Sequence, residues 1–177
     1  MTHAVQPHAV PVRSRAEEIT EIVWEGIVAG LIGYATVAIL VGVIDVVQGR
    51  SFFFTAAMLG EAAFYGLTDP ANVVVWPGAV FAYNGVHLLG FLFIGMSAVW
   101  FAYLAEKGAE LWYVGLVLFL LVVAHACGAV LLLTEGMRAV IPAWVIAVPT
   151  VVGLAAMTLY LLASRPALRK ELTTWRN

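Results

Sequence analysis

Four mostly apolar stretches, at about 22–47, 77–104, 111–133 and 140–163, dominate this chain of 177 residues. Each is long enough to cross a bilayer as a helix, which takes roughly 20 residues at 1.5 Å per residue. Hydrocarbon offers no hydrogen bonds to a backbone, so a spanning segment must satisfy its own N–H and C=O groups, and a helix does this within one segment. The expected fold class is therefore all-α, an integral membrane four-helix bundle. Composition agrees: 63% of residues are hydrophobic and 11% charged, against about 45–50% and about 25% in soluble domains.

A fifth apolar stretch, SFFFTAAMLGEAAFYG at 51–66, is too short to span and carries Glu61. It reads as a short outer interfacial cap helix over about 52–66. The turn chemistry of Asp69-Pro70 and Pro77-Gly78 separates it from the second span. The polar residues 1–20 lack the basic start and apolar core of a signal peptide and read as a disordered tail. Residues 21–165 then form the membrane domain and 166–177 a C-terminal tail.

Orientation follows from Lys and Arg, which concentrate in cytoplasmic loops. Of the nine basic residues, only Arg50 and Arg138 fall on the side of the cap. Both termini are thus expected in the cytoplasm, with the protein in the cell inner membrane and the cap outside. The basic residues form no patch for nucleic acid, and the expected partners are membrane lipid and other membrane subunits or further copies of this chain. Gly26, Gly30 and Gly33 provide a small-residue stripe for close helix packing, within the bundle or in a dimer. Pro149 falls inside the fourth span.

Two histidines interrupt the apolar runs, in AYNGVHLLG (82–90) and AHACG (124–128). At 1.5 Å per residue, His87 lies about 15 Å below the start of its helix at Pro77, and His125 about 12 Å from the end of its own at Leu133. The helices run in opposite directions and share a short connection, so the two imidazoles should lie at similar depth in the outer half of the membrane. Three readings fit them. Each could be a neutral side chain hydrogen-bonded within the bundle, with Tyr83 and Asn84 one turn away. The two could be axial ligands of one haem b, with Gly90 and Gly128 admitting the flat macrocycle and Asn84 beside it. Or they could belong to a proton, quinone or metal site.

Asp45 and Glu61 are the candidate proton-handling carboxylates. The simpler accounts are pairing of Asp45 with Arg50 and a solvated helix face for Glu61. The sole cysteine, Cys127, cannot form an intrachain disulfide and reads as a small buried hydrophobe. No Gly-x-Ser-x-Gly, phosphate loop or His-Glu-x-x-His motif occurs, so catalysis by the chain alone finds no support. The expected function is that of an accessory or structural subunit of a larger membrane complex, respiratory in type. The alternatives are a membrane cytochrome b with one haem on His87 and His125 and, less favoured, an oligomeric transporter or channel.

Overall fold

The computed structural model describes residues 14–108, 111–131, 133–166 and 168–170. Six α-helices and one short 3₁₀ helix account for their regular structure, and no strand occurs among them. The α-helices are α1 (Arg15–Val47), α2 (Phe54–Phe64), α3 (Pro77–Glu106), α4 (Leu111–Leu131), α5 (Glu135–Val140) and α6 (Ala143–Ser164). Of these, α1, α3 and α6 are long and apolar enough to cross a membrane. Large apolar side chains on their outward faces, such as Ile39, Phe81, Phe93 and Leu159, are exposed, as contact with lipid requires.

Helix α1 begins at Arg15, earlier than the expected start near 22, so residues 15–20 do not belong to a disordered tail. The cause is a capping box, Ser14-Arg-Ala-Glu17. The Glu17 N–H donates to Ser14 Oγ at 3.3 Å, and the Ser14 N–H donates to Glu17 Oε2 at 2.8 Å. Two end groups that α1 could not bond internally are thereby satisfied. The remainder of that expected tail, 1–13, lies outside the described residues, as does 171–177 of the C-terminal one. Helix α3 starts on Pro77, whose fixed φ suits a first helical position. The fourth apolar stretch is not one helix from 140. Pro142 lacks an N–H and pushes Ile141 out of helical geometry (φ −116°, ψ 84°), which separates α5 from α6.

Helix α1 is the axis of the packing, with its most extensive contact on α3 and the next on α6, while α4 touches α3 and α6. Glycines set these distances. A Cβ on Gly30 would stand 2.7 Å from the Phe91 carbonyl oxygen, and one on Gly95 would run into the backbone of Gly26 and Gly30. Gly33 and Gly153 do the same between α1 and α6. The glycine stripe of α1 is therefore spent on internal packing. Around it Ile22, Ala29, Val37, Phe91, Ile94 and Met157 form the main core.

At the end holding the termini, Arg165 ties three helices together. It is buried and pairs with Glu25 of α1 at 2.6 Å and Glu106 of α3 at 2.9 Å. At the other end, α2 packs on the first turns of α3, where Gly60 abuts the Ala79 carbonyl. Its N-terminus is capped from α1. Asp45, fully buried, accepts from the Thr55 N–H at 2.8 Å and the Thr55 hydroxyl at 2.9 Å, and pairs with Arg50 at 3.0 Å. Arg50 also donates to the Val140 carbonyl at 2.9 Å, which links this knot to α5.

Candidate functional site

Between the Asp45 knot and the main core, the helices spread around a cavity of about 540 Å³. Its size falls in the range of small-molecule sites, and like them it is mostly apolar with a few convergent polar groups. Its walls come from α1, the Phe52–Phe53 turn, α2, α3, α4 and α6. Five polar side chains gather at one place, namely Tyr34 on α1, Tyr83, Asn84 and His87 on α3, and His125 on α4. Thr55, Trp76 and Thr150 also line the cavity but donate to Asp45, Glu61 and the Ile146 carbonyl.

The structure brings His87 and His125 into direct contact. His125 Nε2 stands 3.3 Å from His87 Nδ1, and the ring centroids are 5.1 Å apart. That is hydrogen-bond distance for nitrogen to nitrogen. It is shorter than the roughly 4 Å that two imidazoles on opposite faces of a shared iron require, at about 2.0 Å per metal–nitrogen bond. Two facing nitrogens hold one hydrogen between them, since two N–H groups would repel. Gly90 makes the approach possible, because a Cβ there would meet His125 Cε1 at 2.8 Å. Gly90 thus makes room for a ring of the protein itself.

The surroundings hold His87 in one orientation. Tyr83, one turn earlier, stacks on it with centroids 5.1 Å apart, and its hydroxyl lies 3.4 Å from His87 Nδ1. Phe91, one turn later, meets both imidazoles edge-on, at 5.0 and 5.2 Å. The Tyr34 hydroxyl donates to Asn84 Oδ1 at 3.0 Å, and the Asn84 amide donates to the Val80 carbonyl at 2.8 Å. Asn84 is therefore a fastening between α1 and α3 at the edge of the cavity. Tyr34 is the member of this cluster that the sequence did not single out. Its only signal is a polar tip inside an apolar run.

Other candidates lie elsewhere. Gly128 is exposed, and a Cβ there would meet nothing within 4 Å, so it takes no part in the site. Cys127 is also exposed, which corrects the expectation of a buried thiol. Glu61 is buried, not on a solvated face. Its carboxylate accepts from Trp76 Nε1 at 3.0 Å and from the Val74 N–H at 3.2 Å, which folds the segment after α2 back over it. Asp45 and Glu61 therefore each hold a local structure together, and neither lines the cavity. Among the described residues no group of three or more His, Cys, Asp or Glu side chains could hold a metal ion. Family models, curated proteins and solved structures were all compared with the chain, and none matches it.

Proposed function

We propose that the chain is a four-span inner-membrane protein that binds a lipophilic small molecule in the cavity, working as a subunit of a larger membrane complex. In this reading α1, α3, α4 and α6 cross the bilayer as a four-helix bundle, both termini face the cytoplasm, and α2 caps the outer end. The 21-residue length of α4 supports its crossing. The basic residues Arg15, Lys107, Arg165, Arg169 and Lys170 at the end opposite α2 support the orientation.

One observation carries the functional reading. The cavity of about 540 Å³ is lined mostly by apolar side chains and ends on a cluster of His, Tyr and Asn contributed by three helices. A polar cluster inside apolar surroundings is costly unless it is used or fully satisfied. Here the cluster opens onto space large enough for a ligand. The subunit role is supported by the absence of catalytic motifs from the sequence.

The test is extraction. The protein is purified from membranes in mild detergent, and its bound lipophiles are extracted with organic solvent and identified by mass spectrometry. Wild type should release one compound in near-stoichiometric amount. Ala56→Phe, which fills the cavity from its wall, should release little while melting normally. Equal lipid profiles for the two proteins would contradict the reading. Cross-linking in intact membranes should recover the chain in assemblies larger than 19.0 kDa, and recovery only as a monomer would remove the subunit role.

A further inference from the structure

We infer that the molecule held in this cavity belongs to the quinone class, and that the site accepts both its oxidised carbonyl form and its reduced hydroxyl form. This rests on the proposal that the cavity is a ligand site and adds the chemistry of the ligand.

Charge narrows the choice first. Among the described residues lining the cavity none is Lys, Arg, Asp or Glu. An anionic head, such as a fatty acid carboxylate or a phosphate, would stand there without a counter-charge, and a cationic head would fare no better. The ligand head is therefore neutral.

Shape narrows it further. Aromatic side chains form much of the wall, with Tyr34, Tyr83, Phe52, Phe53, Trp76 and Phe81 among them. Tyr83 is already stacked on His87. Flat surfaces of this kind suit a planar head, which they hold by offset or edge contacts. Phe52, Phe53 and Phe81 are also exposed on the outside of the molecule, so an aliphatic tail can pass between them into lipid.

The histidine pair then selects among planar neutral heads. His87 Nδ1 is occupied by the contact with His125 Nε2 and by the Tyr83 hydroxyl. His87 Nε2 makes no hydrogen bond to any described residue, and it is not sealed in the way Arg50 Nε is. Two neutral arrangements of hydrogen fit the pair. In one, His125 Nε2–H donates to His87 Nδ1, and the other hydrogen sits on His87 Nε2. In the other, His87 Nδ1–H donates to His125 Nε2, His87 Nε2 is bare, and the second hydrogen sits on His125 Nδ1. Each holds two hydrogens, and no heavy atom moves between them. In the first, His87 Nε2 donates to a carbonyl oxygen. In the second, it accepts from a hydroxyl. A lone imidazole has the same two tautomers, but here the hydrogen bond between the two rings is kept in both.

Equilibrium dialysis of the full chain in detergent tests this with three probes: a benzoquinone with a ten-carbon tail, the same compound reduced to its quinol, and n-decanol. Wild type should bind quinone and quinol with Kd values within about threefold of each other, and decanol at least about tenfold more weakly. His87→Phe, which keeps a flat ring and loses both nitrogens, should weaken quinone and quinol by at least about tenfold and leave decanol unchanged. His87→Gln, whose amide offers a donor and an acceptor, should recover part of both. Should His87→Phe fail to fold, the wild-type ratios and the Gln variant still decide. Decanol binding as tightly as quinone, binding of one form only, or full binding by His87→Phe would overturn the quinone class and leave the cavity reading standing. Loss of all probes in Ala56→Phe supports the location. Failure of wild type to bind any of the three would overturn both.

Discussion

Helices α1, α3 and α6 do opposite things at their two ends. Near the termini they close on one another, with Gly26 and Gly30 against Gly95 and with Arg165 gripping Glu25 and Glu106. Toward the other end α1 carries Tyr34, α3 carries Tyr83 and Asn84, α6 contributes Ile146 and Thr150, and the helices part around a cavity. Residue size explains the change. Glycine and alanine let backbones touch and leave no gap, whereas a ring holds backbones apart and leaves space between its neighbours. The contrast shows tight packing and open space placed in different halves. The closed half holds the helices in register, and the open half presents the histidine pair.

The comparison breaks most visibly at Gly95. Gly95→Leu would drive a side chain into the backbone of α1, where no rotamer relieves the clash. We expect a loss beyond the usual overpacking cost of about 1–3 kcal/mol, read as little or no folded protein in thermal unfolding. Gly128→Leu is its control. A Cβ at Gly128 meets nothing within 4 Å, so stability should stay within about 0.5 kcal/mol of wild type.

Arg165 should come next. Arg165→Met leaves Glu25 and Glu106 facing each other without a cation. The expected loss is about 3 kcal/mol, the lower end for a buried pair, because both glutamates keep some exposure. Adding Glu25→Gln and Glu106→Gln should recover most of it. A triple variant no better than Arg165→Met would show that the pairing itself, and not the uncompensated charge, was the source.

Smaller again is the effect at the open end. Asp45→Asn keeps an acceptor for the Thr55 N–H but removes the charge opposite Arg50. A loss of about 1–3 kcal/mol is expected, and it should be local. Hydrogen exchange should speed up in α2 and leave the glycine crossing of α1 and α3 unchanged. A uniform increase over all helices would mean that the two halves are not separable.

Much of this was legible in the sequence. The apolar runs foretold where α1, α3 and α6 lie, and depth counted from Pro77 and Leu133 brought His87 to the level of His125. The short apolar stretch holding Glu61 became α2, about two residues shorter at each end than expected. The sequence was mute about which way each side chain faces. A helix meant for lipid is apolar all round, so the polar-face periodicity that marks the inside of a soluble helix is missing. Hence Cys127 was misplaced and Tyr34 went unnoticed. Glu61 was read as solvated because the groups that satisfy it, Trp76 Nε1 and the Val74 N–H, come from a loop whose path no local pattern dictates. Arg165 and Glu25 meet across most of the chain. In a count of charges Arg165 looked like one more basic residue at a membrane face.

The meeting of two imidazoles inside the open half is the centre of this account, and nitrogen NMR reads it directly. In protein labelled with ¹⁵N-histidine, a coupling carried through the shared hydrogen should join His87 Nδ1 to His125 Nε2. It should vanish in His125→Ala and survive in Gly128→Leu. Two independent imidazoles, with no coupling and with each ring unaffected by loss of the other, would contradict the account.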